Sequence, residues 1–279
     1  MSFTFPVTLS LYAVAWALYL AHAATSTAAE PSPSGGRLAR AARLVLTAAF
    51  LLHAFDIGAH CVRAIHPFVN AREALSFVGW LTIGAYLGVS LRQPLPLVGA
   101  LLVPVVIVLE SAARLTPERG ASTAASILGK LHIGLATIGV AVFAVAAVLA
   151  AVYLVAERQL KHRRFGALFR QGPPLAMLDG LNRRSILVGF PIFTVAMVTG
   201  AIWVMRLPEG GPHRLLRPEY ALSTITWCLY AALLLARLVA GWRGRRAALV
   251  TLLGFGAALG VLAIYLLRSP AAAGLAGGG

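Results

Sequence analysis

Residues 133–156 read IGLATIGVAVFAVAAVLAAVYLVA, an apolar run that contains no charged side chain. A helix needs about 20 such residues to cross the hydrocarbon core of a bilayer. Backbone amides inside hydrocarbon must be paired within their own segment, which favours a helix over any open structure. Seven further long apolar runs accompany this one, and the whole chain is 59% hydrophobic and only 12% charged. The sequence therefore predicts an integral membrane protein.

The pattern predicts an all-α fold, a polytopic membrane helix bundle that forms a single transmembrane domain over residues 1–268. Eight transmembrane helices are expected, at 5–24, 38–62, 74–91, 95–115, 127–156, 185–205, 219–239 and 247–267. The Thr, Ser, Pro and Gly content of Ala24–Gly36 predicts a loop. The Ala/Gly-rich tail 269–279 is predicted to be disordered.

The basic residues predict how the bundle is inserted. Fifteen of the 24 Lys and Arg residues fall in one set of alternating loops and nine in the other. Because positive loops stay in the cytoplasm, both termini are predicted to lie outside and the loop 157–184 inside. The net charge of +15 is explained by this topology and by attraction to anionic membrane lipid, so no nucleic-acid partner is expected.

Polar residues gather near the predicted outer ends of the helices. His53, Asp56 and His60 share one stripe of helix 2, and Asp56 and His60 are spaced to pair directly. The stripe predicts either a hydrogen-bonded patch that fixes helix 2 to a neighbour or a set of neutral imidazoles for haem iron. The spacing is not one of the familiar zinc patterns, so a metal ion there is disfavoured.

Other polar residues of the outer region are open to more than one interpretation. Glu110 and Arg114 are predicted either to form an ion pair at the end of helix 4 or to line a polar cavity that opens to the outer face. His132 lies at the start of helix 5, and His213 and Arg217 lie before helix 7. His213 is either a ligand or a solvated loop residue. The two cysteines form no Cys-x-x-Cys pair, which disfavours thiol exchange.

Several segments together resemble the cytochrome c assembly family, most closely its HemX-like and CcsA-like membrane proteins. The resemblance covers about 50–267 and is carried by these stretches, in order: His66–Trp80, Tyr153–Lys161, Pro173–Asp179, Leu181–Pro191, Thr199–Trp203, Ile225–Tyr230 and Gly241–Ala247. It implies haem handling at the outer face of a bacterial cytoplasmic (inner) membrane. The resemblance also implies a transient haem b cofactor and two partners, an apocytochrome c and a CcsB-like membrane protein.

The resemblance also implies site residues. His132 matches the outer histidine of the family at the start of helix 5 and becomes the candidate ligand to haem iron. Trp203 stands where a Trp-rich outer segment should begin, so it is a candidate to contact the macrocycle. His60, His53 and His213 are candidate second ligands, and Arg217 is a candidate partner of the haem propionates.

This sequence departs from the family pattern at three places. The Trp-rich segment after Trp203 is replaced by Met205–Glu219, of which only Pro218 and Glu219 fit. The histidine expected near the inner end of helix 7 is missing from Leu233–Arg237, and the histidine expected after helix 8 is missing as well.

Two functions follow as hypotheses. The first is an integral membrane haem-handling protein of cytochrome c biogenesis, which binds or presents haem at the outer face. The alternative is a HemX-like non-catalytic scaffold or regulator of haem biosynthesis that does not ligate haem. A transporter is disfavoured because no mirrored pair of broken helices is evident, and the familiar phosphate-loop, nucleophile-elbow and metalloprotease motifs of soluble enzymes are absent.

Overall fold

In a computed structural model, the chain folds into a bundle of long helices. The structure describes residues 4–25, 33–62, 65, 67, 71–92, 95–115, 126–162, 173–206 and 217–267. Within these ranges there are eight helices and no strand: α1 Thr4–Thr25, α2 Pro33–Val62, α3 Ala71–Arg92, α4 Pro96–Leu115, α5 Ile127–Lys161, α6 Leu175–Met205, α7 Pro218–Val239 and α8 Arg245–Leu267. All eight are long and apolar enough to cross a membrane. The prediction of a multi-pass, all-α membrane protein is confirmed.

Three helices extend further than the apolar pattern indicated, and one of them, α5, ends at Lys161 instead of residue 156. Helix α6 begins ten residues earlier, at Leu175, because Asp179 and Asn182 find polar partners inside the bundle and need not lie in a loop. Helix α2 begins at Pro33, so the last residues of the predicted loop Ala24–Gly36 are helical. The tail 269–279 lies outside the described residues.

The helices pack as two groups that share α5. Helices α1 to α4 bury a core that includes Tyr12, Leu46, Tyr86 and Leu102. Helices α5 to α8 bury a second core around Phe143, whose ring stacks on Tyr230 with 3.9 Å between centroids. Helix α5 contacts α3 and α4 as well as α6 and α8, and it therefore joins the two groups.

The helix directions define two ends of the bundle. The end that carries the start of α1, α3, α5 and α7 is the one predicted to face outward, and it is called the outer end below; the opposite end is called the inner end. Contacts between Thr4 and Asp56 and between His132 and Trp203 show that residues from successive helices meet at the outer end. The direction of insertion itself stays a prediction from charge.

Candidate functional site

His132 is held in the second turn of α5. The helix begins after Ser126, whose hydroxyl caps it by accepting from the backbone N–H of Gly129 at 3.1 Å. The Nδ1 atom of His132 lies 2.7 Å from the carbonyl oxygen of Ala196 in α6. Since a carbonyl can only accept, Nδ1 carries the proton and donates it. The other ring nitrogen, Nε2, therefore keeps its lone pair, and no described residue hydrogen-bonds it.

Helix α6 makes room for this ring with a glycine. A Cβ added at Gly200 would lie 2.5 Å from His132 Nδ1 and 2.6 Å from its Cε1. Ala196, Gly200 and Trp203 are spaced by four and three residues, so they line one face of α6. The Trp203 ring lies at the outer edge of that face, with its centroid 6.0 Å from the His132 ring and the planes tilted by 35°.

Trp203 differs from three other half-buried tryptophans that lie between helices. Trp16, Trp80 and Trp227 each donate their indole N–H to a neighbouring helix, at 3.0 to 3.2 Å. The indole nitrogen of Trp203 is buried, but it has no hydrogen-bond partner among the described residues. A buried donor without an acceptor costs free energy, so this position is suited to an acceptor supplied from outside the described helices.

His53 lies in a second polar cluster, between α1, α2, α3 and α4. It is 2% exposed, and both ring nitrogens are occupied: Nδ1 lies 3.0 Å from the Tyr12 hydroxyl and Nε2 lies 2.9 Å from Ser76 Oγ. Ser76 in turn donates to Glu110 Oε2 at 3.0 Å. Because the serine proton is used there, the serine oxygen accepts from Nε2–H, and Nδ1 accepts from Tyr12. A directed chain runs from Tyr12 through His53 and Ser76 to Glu110.

Glu110 completes this chain and corrects one prediction. It is 4% exposed, and its Oε1 lies 3.5 Å from His53 Nε2. It forms no salt bridge with Arg114, whose guanidinium lies 4.1 Å above the Phe5 ring instead. The predicted ion pair at the end of helix 4 is therefore wrong, because Glu110 points into the bundle, where a Cβ at Gly79 would come within 2.6 Å of Oε1.

The outer part of the stripe on α2 forms a smaller cluster. His60 Nδ1 lies 3.9 Å from Asp56 and 3.7 Å from Glu73 of α3. Asp56 also accepts a hydrogen bond from the Thr4 hydroxyl. The predicted pairing of Asp56 with His60 is present, and the stripe fixes α2 to both α1 and α3. Among the described residues no group of three or more His, Cys, Asp or Glu side chains is arranged to hold a metal ion.

The other predicted site residues are not brought to His132 by any described contact. Arg217 is the N-cap of α7, and its guanidinium lies 4.0 Å from Glu219. His213 falls outside the described residues. The structure thus places His132 beside Trp203, and both ring nitrogens of His53 have hydrogen-bond partners within the bundle.

A third polar network lies at the inner end, and sequence reasoning missed it. Arg237 of α7 donates to Asn182 Oδ1 at 2.6 Å and lies 3.2 Å from Asp179 Oδ1. Asn182 donates to the carbonyl oxygen of Ala146 in α5 at 2.8 Å, and Thr251 of α8 also reaches Asn182. The signal was an arginine inside an apolar helix, which requires a buried partner. One asparagine here connects four helices.

Comparisons with known proteins place the chain in context. The model of a family described as "Cytochrome C assembly protein" matches residues 5–270. The "Cytochrome c biogenesis protein CcsA" of Synechococcus sp. (strain CC9605) is 29% identical over 250 residues, which is 78% of this chain and 78% of the relative. The protein of the same name from Synechococcus sp. (strain CC9902) is 29% identical over 82% of both chains. A CcsA from Guillardia theta is 27% identical over 68% of this chain and 69% of its own length.

Proposed function

Because the chain belongs to the cytochrome c assembly protein family, we propose that it binds or presents haem at the outer face of a bacterial cytoplasmic membrane during cytochrome c biogenesis. The match covers nearly the whole chain, and the relatives named as CcsA cover most of it. The family and the eight apolar helices support a membrane protein of cytochrome c assembly. We propose in addition that haem is bound, that its site includes His132, and that this site faces the outer side of the membrane.

The single observation that carries the proposal is the hydrogen bond between His132 Nδ1 and the carbonyl oxygen of Ala196. The Nδ1–H of His132 is fixed on that carbonyl oxygen, so the lone pair that can bind iron is on Nε2. A ligand histidine commonly donates its other ring N–H to a carbonyl, which orients the ring and makes the ligating nitrogen more basic. His132 therefore has the anchoring that an axial ligand needs before any iron is bound.

The neighbouring side chain also suits haem. Haem would supply a flat aromatic macrocycle, an iron atom that accepts axial imidazoles, and two carboxylates. Trp203 lies beside His132 and has an unused indole N–H, which suits an anionic acceptor such as a propionate. Arg217, half exposed at the start of α7 on the same end of the bundle, is the proposed second contact for a propionate.

For the second axial position we propose His60 or His213. His60 Nδ1 faces the acidic side chains of Asp56 and Glu73. Its Nε2, like that of His132, has no hydrogen bond to a described residue. His53 is excluded as a ligand, because binding iron would break its bonds to Tyr12 or Ser76 inside a buried cluster. The protein would then orient His132, place the Trp203 ring against the macrocycle and hold the propionates at the outer end. An apocytochrome c and a CcsB-like partner would bind at that end.

One observation favours the alternative, a HemX-like scaffold or regulator that does not ligate haem. The family resemblance places a histidine near the inner end of α7, where this chain has Arg237. That arginine is fixed by Asp179 and Asn182, so this part of α7 offers a buried guanidinium and no imidazole.

The first test is the absorption spectrum of the protein purified in mild detergent, oxidised and reduced, with a pyridine haemochrome assay for haem content. We expect a Soret band that falls at least about tenfold in His132→Ala, which corresponds to roughly 1.4 kcal/mol of lost binding. His162→Ala is the matched control, because His162 lies at the opposite end of the same helix and is exposed.

Equal haem content in a well-folded His132→Ala protein and in the control would refute the assignment of His132. A protein that takes up no haem even after loading would refute haem handling and leave the scaffold function. Folding is checked separately by size-exclusion chromatography and circular dichroism, so that loss of haem is not confused with loss of structure.

A further inference from the structure

A cleft at the inner end has no role in the function proposed above. It has a volume of about 220 Å³ and lies between the first four helices. Its lining includes Arg40 and Arg43 of α2, Tyr86 and Ser90 of α3, Tyr19 of α1 and Pro96 of α4. Both arginines are exposed, whereas Ser90 is only 2% exposed. The cleft therefore leads from a charged surface to a buried hydroxyl.

The charges of this cleft are not neutralised within the described part of the chain. Arg40 and Arg43 are three residues apart on α2 and so lie on one face. Arg40 donates only to the carbonyl oxygen of Gly36 in its own helix, at 3.3 Å, and Arg43 lies 3.5 Å from the carbonyl oxygen of Ser90. No carboxylate lines the cleft, and neither arginine has a salt bridge with any described residue. Two positive charges thus face a site without an anion.

The deep part of the cleft offers hydrogen-bond donors. Ser90 Oγ is buried and has no hydrogen-bond partner among the described residues. Helix α4 begins at Pro96 in the wall of the cleft. Pro96 has no N–H and Gly99 donates to the carbonyl oxygen of Leu95 at 3.2 Å, so this helix start offers the N–H groups of Leu97 and Val98 together with its partial positive charge. An arginine pair, a helix start and an unsatisfied hydroxyl therefore converge on the same space, which is the chemistry that recognises a phosphate.

The walls are fixed before any ligand arrives. The Tyr86 hydroxyl lies 3.1 Å from the carbonyl oxygen of Leu95 and 3.2 Å from the hydroxyl of Tyr19, which ties α3 to the start of α4 and to α1. Gly99 permits this arrangement, because a Cβ there would lie 2.5 Å from the Tyr86 hydroxyl oxygen. A preformed site loses little conformational entropy when it binds.

We propose that this cleft binds the phosphate of an anionic phospholipid from the leaflet at the inner end. A lipid is favoured over a soluble anion because the surroundings are apolar. Leu44, next to Arg43, is 70% exposed, and Leu91, next to Ser90, is 80% exposed. Both belong to helices that are apolar enough to span a membrane, so acyl chains can lie along α2 and α3 while the headgroup occupies the cleft. Anionic lipids are enriched in the cytoplasmic leaflet, which is where the charge pattern places this end.

The test adds dioleoylphosphatidylglycerol or dioleoylphosphatidylcholine to the detergent-purified full chain and follows thermal unfolding by tryptophan fluorescence. A ligand that binds only the folded state raises Tm, and we expect a gain of at least about 3 °C with phosphatidylglycerol and no gain with phosphatidylcholine. Arg40→Gln/Arg43→Gln should lose most of this gain. Arg245→Gln/Arg246→Gln, which removes two exposed charges from the same end but outside the cleft, should keep it.

Three outcomes would overturn the proposal. One is an equal rise of Tm with phosphatidylglycerol in both double variants, because non-specific attraction between the basic protein and the anionic lipid would then explain the rise. Another is an equal gain with inorganic phosphate alone, because a soluble anion would then be the ligand. If the arginine variant does not insert or fold, Ala39→Phe fills the cleft without changing charge, and a full gain in that variant would equally refute a headgroup site.

Discussion

His53 and His132 occupy comparable places and have opposite chemistry. Both lie in the outer part of a membrane helix, and each depends on space beside a glycine of a neighbouring helix, Gly79 for the cluster of His53 and Gly200 for His132. His53 carries its proton on Nε2 and uses Nδ1 as an acceptor, so both nitrogens are consumed inside the protein. His132 carries its proton on Nδ1 and leaves Nε2 available. The position of one proton separates a structural histidine from a candidate ligand.

The largest effect is expected where the cluster of His53 is disturbed. Gly79→Ala would place a methyl group 2.6 Å from Glu110 Oε1. Glu110 must then leave Ser76 or push α3 away, which should cost about 1–3 kcal/mol of the free energy of unfolding. The measurement is chemical unfolding in detergent. Haem content per folded molecule should not change, because no described contact joins this cluster to His132.

Two variants sharpen that prediction. Gly88→Ala lies in the same helix, and its Cβ would meet nothing within 4 Å, so it should be close to neutral. Combining Gly79→Ala with Glu110→Ala removes the clash, and the double variant should be less destabilised than the sum of the single variants. Additive losses of stability in the double variant would argue against a contact between residue 79 and Glu110. A loss of haem in Gly79→Ala would argue against the distinction between His53 and His132.

A smaller effect, on binding and not on folding, is expected at the other glycine. Gly200→Ala would place a Cβ 2.5 Å from His132 Nδ1, so the ring must turn away from Ala196 and lose its anchor. Haem affinity should fall about tenfold, as measured by titration of the Soret band. Gly180→Ala in the same helix meets nothing within 4 Å and is the control. Unchanged haem affinity in Gly200→Ala would mean that the contact of His132 with Ala196 and Gly200 does not orient the ligand.

The smallest effect is expected at Trp203. Trp203→Phe keeps an aromatic ring beside His132 but removes the indole N–H, which has no partner among the described residues. We expect stability to stay within about 0.5 kcal/mol, because no described hydrogen bond is lost. Haem affinity should fall about two- to fivefold if the N–H contacts a propionate. An equal affinity in the two proteins would restrict Trp203 to a packing role.

The sequence predicted the fold more fully than the sites. Apolar runs identify membrane helices because every backbone amide inside hydrocarbon must be paired within its own segment. The polar ends of α2, α5 and α6 were not predicted, because they extend beyond the apolar runs. The choice of His132 came from a family resemblance, and its anchor could not be predicted because the acceptor is a backbone carbonyl, which every residue has. Glu110 was paired with Arg114 from helix spacing alone, although its partners Ser76 and His53 lie on other helices. Contacts between helices depend on packing angles that spacing within one helix does not contain.

The inner network has a consequence for the order in which the chain is made. Arg237 is deeply buried in α7, and an unpaired charge inside a membrane is costly. Its partners Asp179 and Asn182 belong to α6 and leave the ribosome long before it. When α7 enters the bilayer, its charge can be neutralised at once by a helix already present, and α8 follows through the short turn 240–244 to close the group with Thr251. A chain rearranged so that α7 and α8 were synthesised before α6 would have to insert Arg237 without a partner.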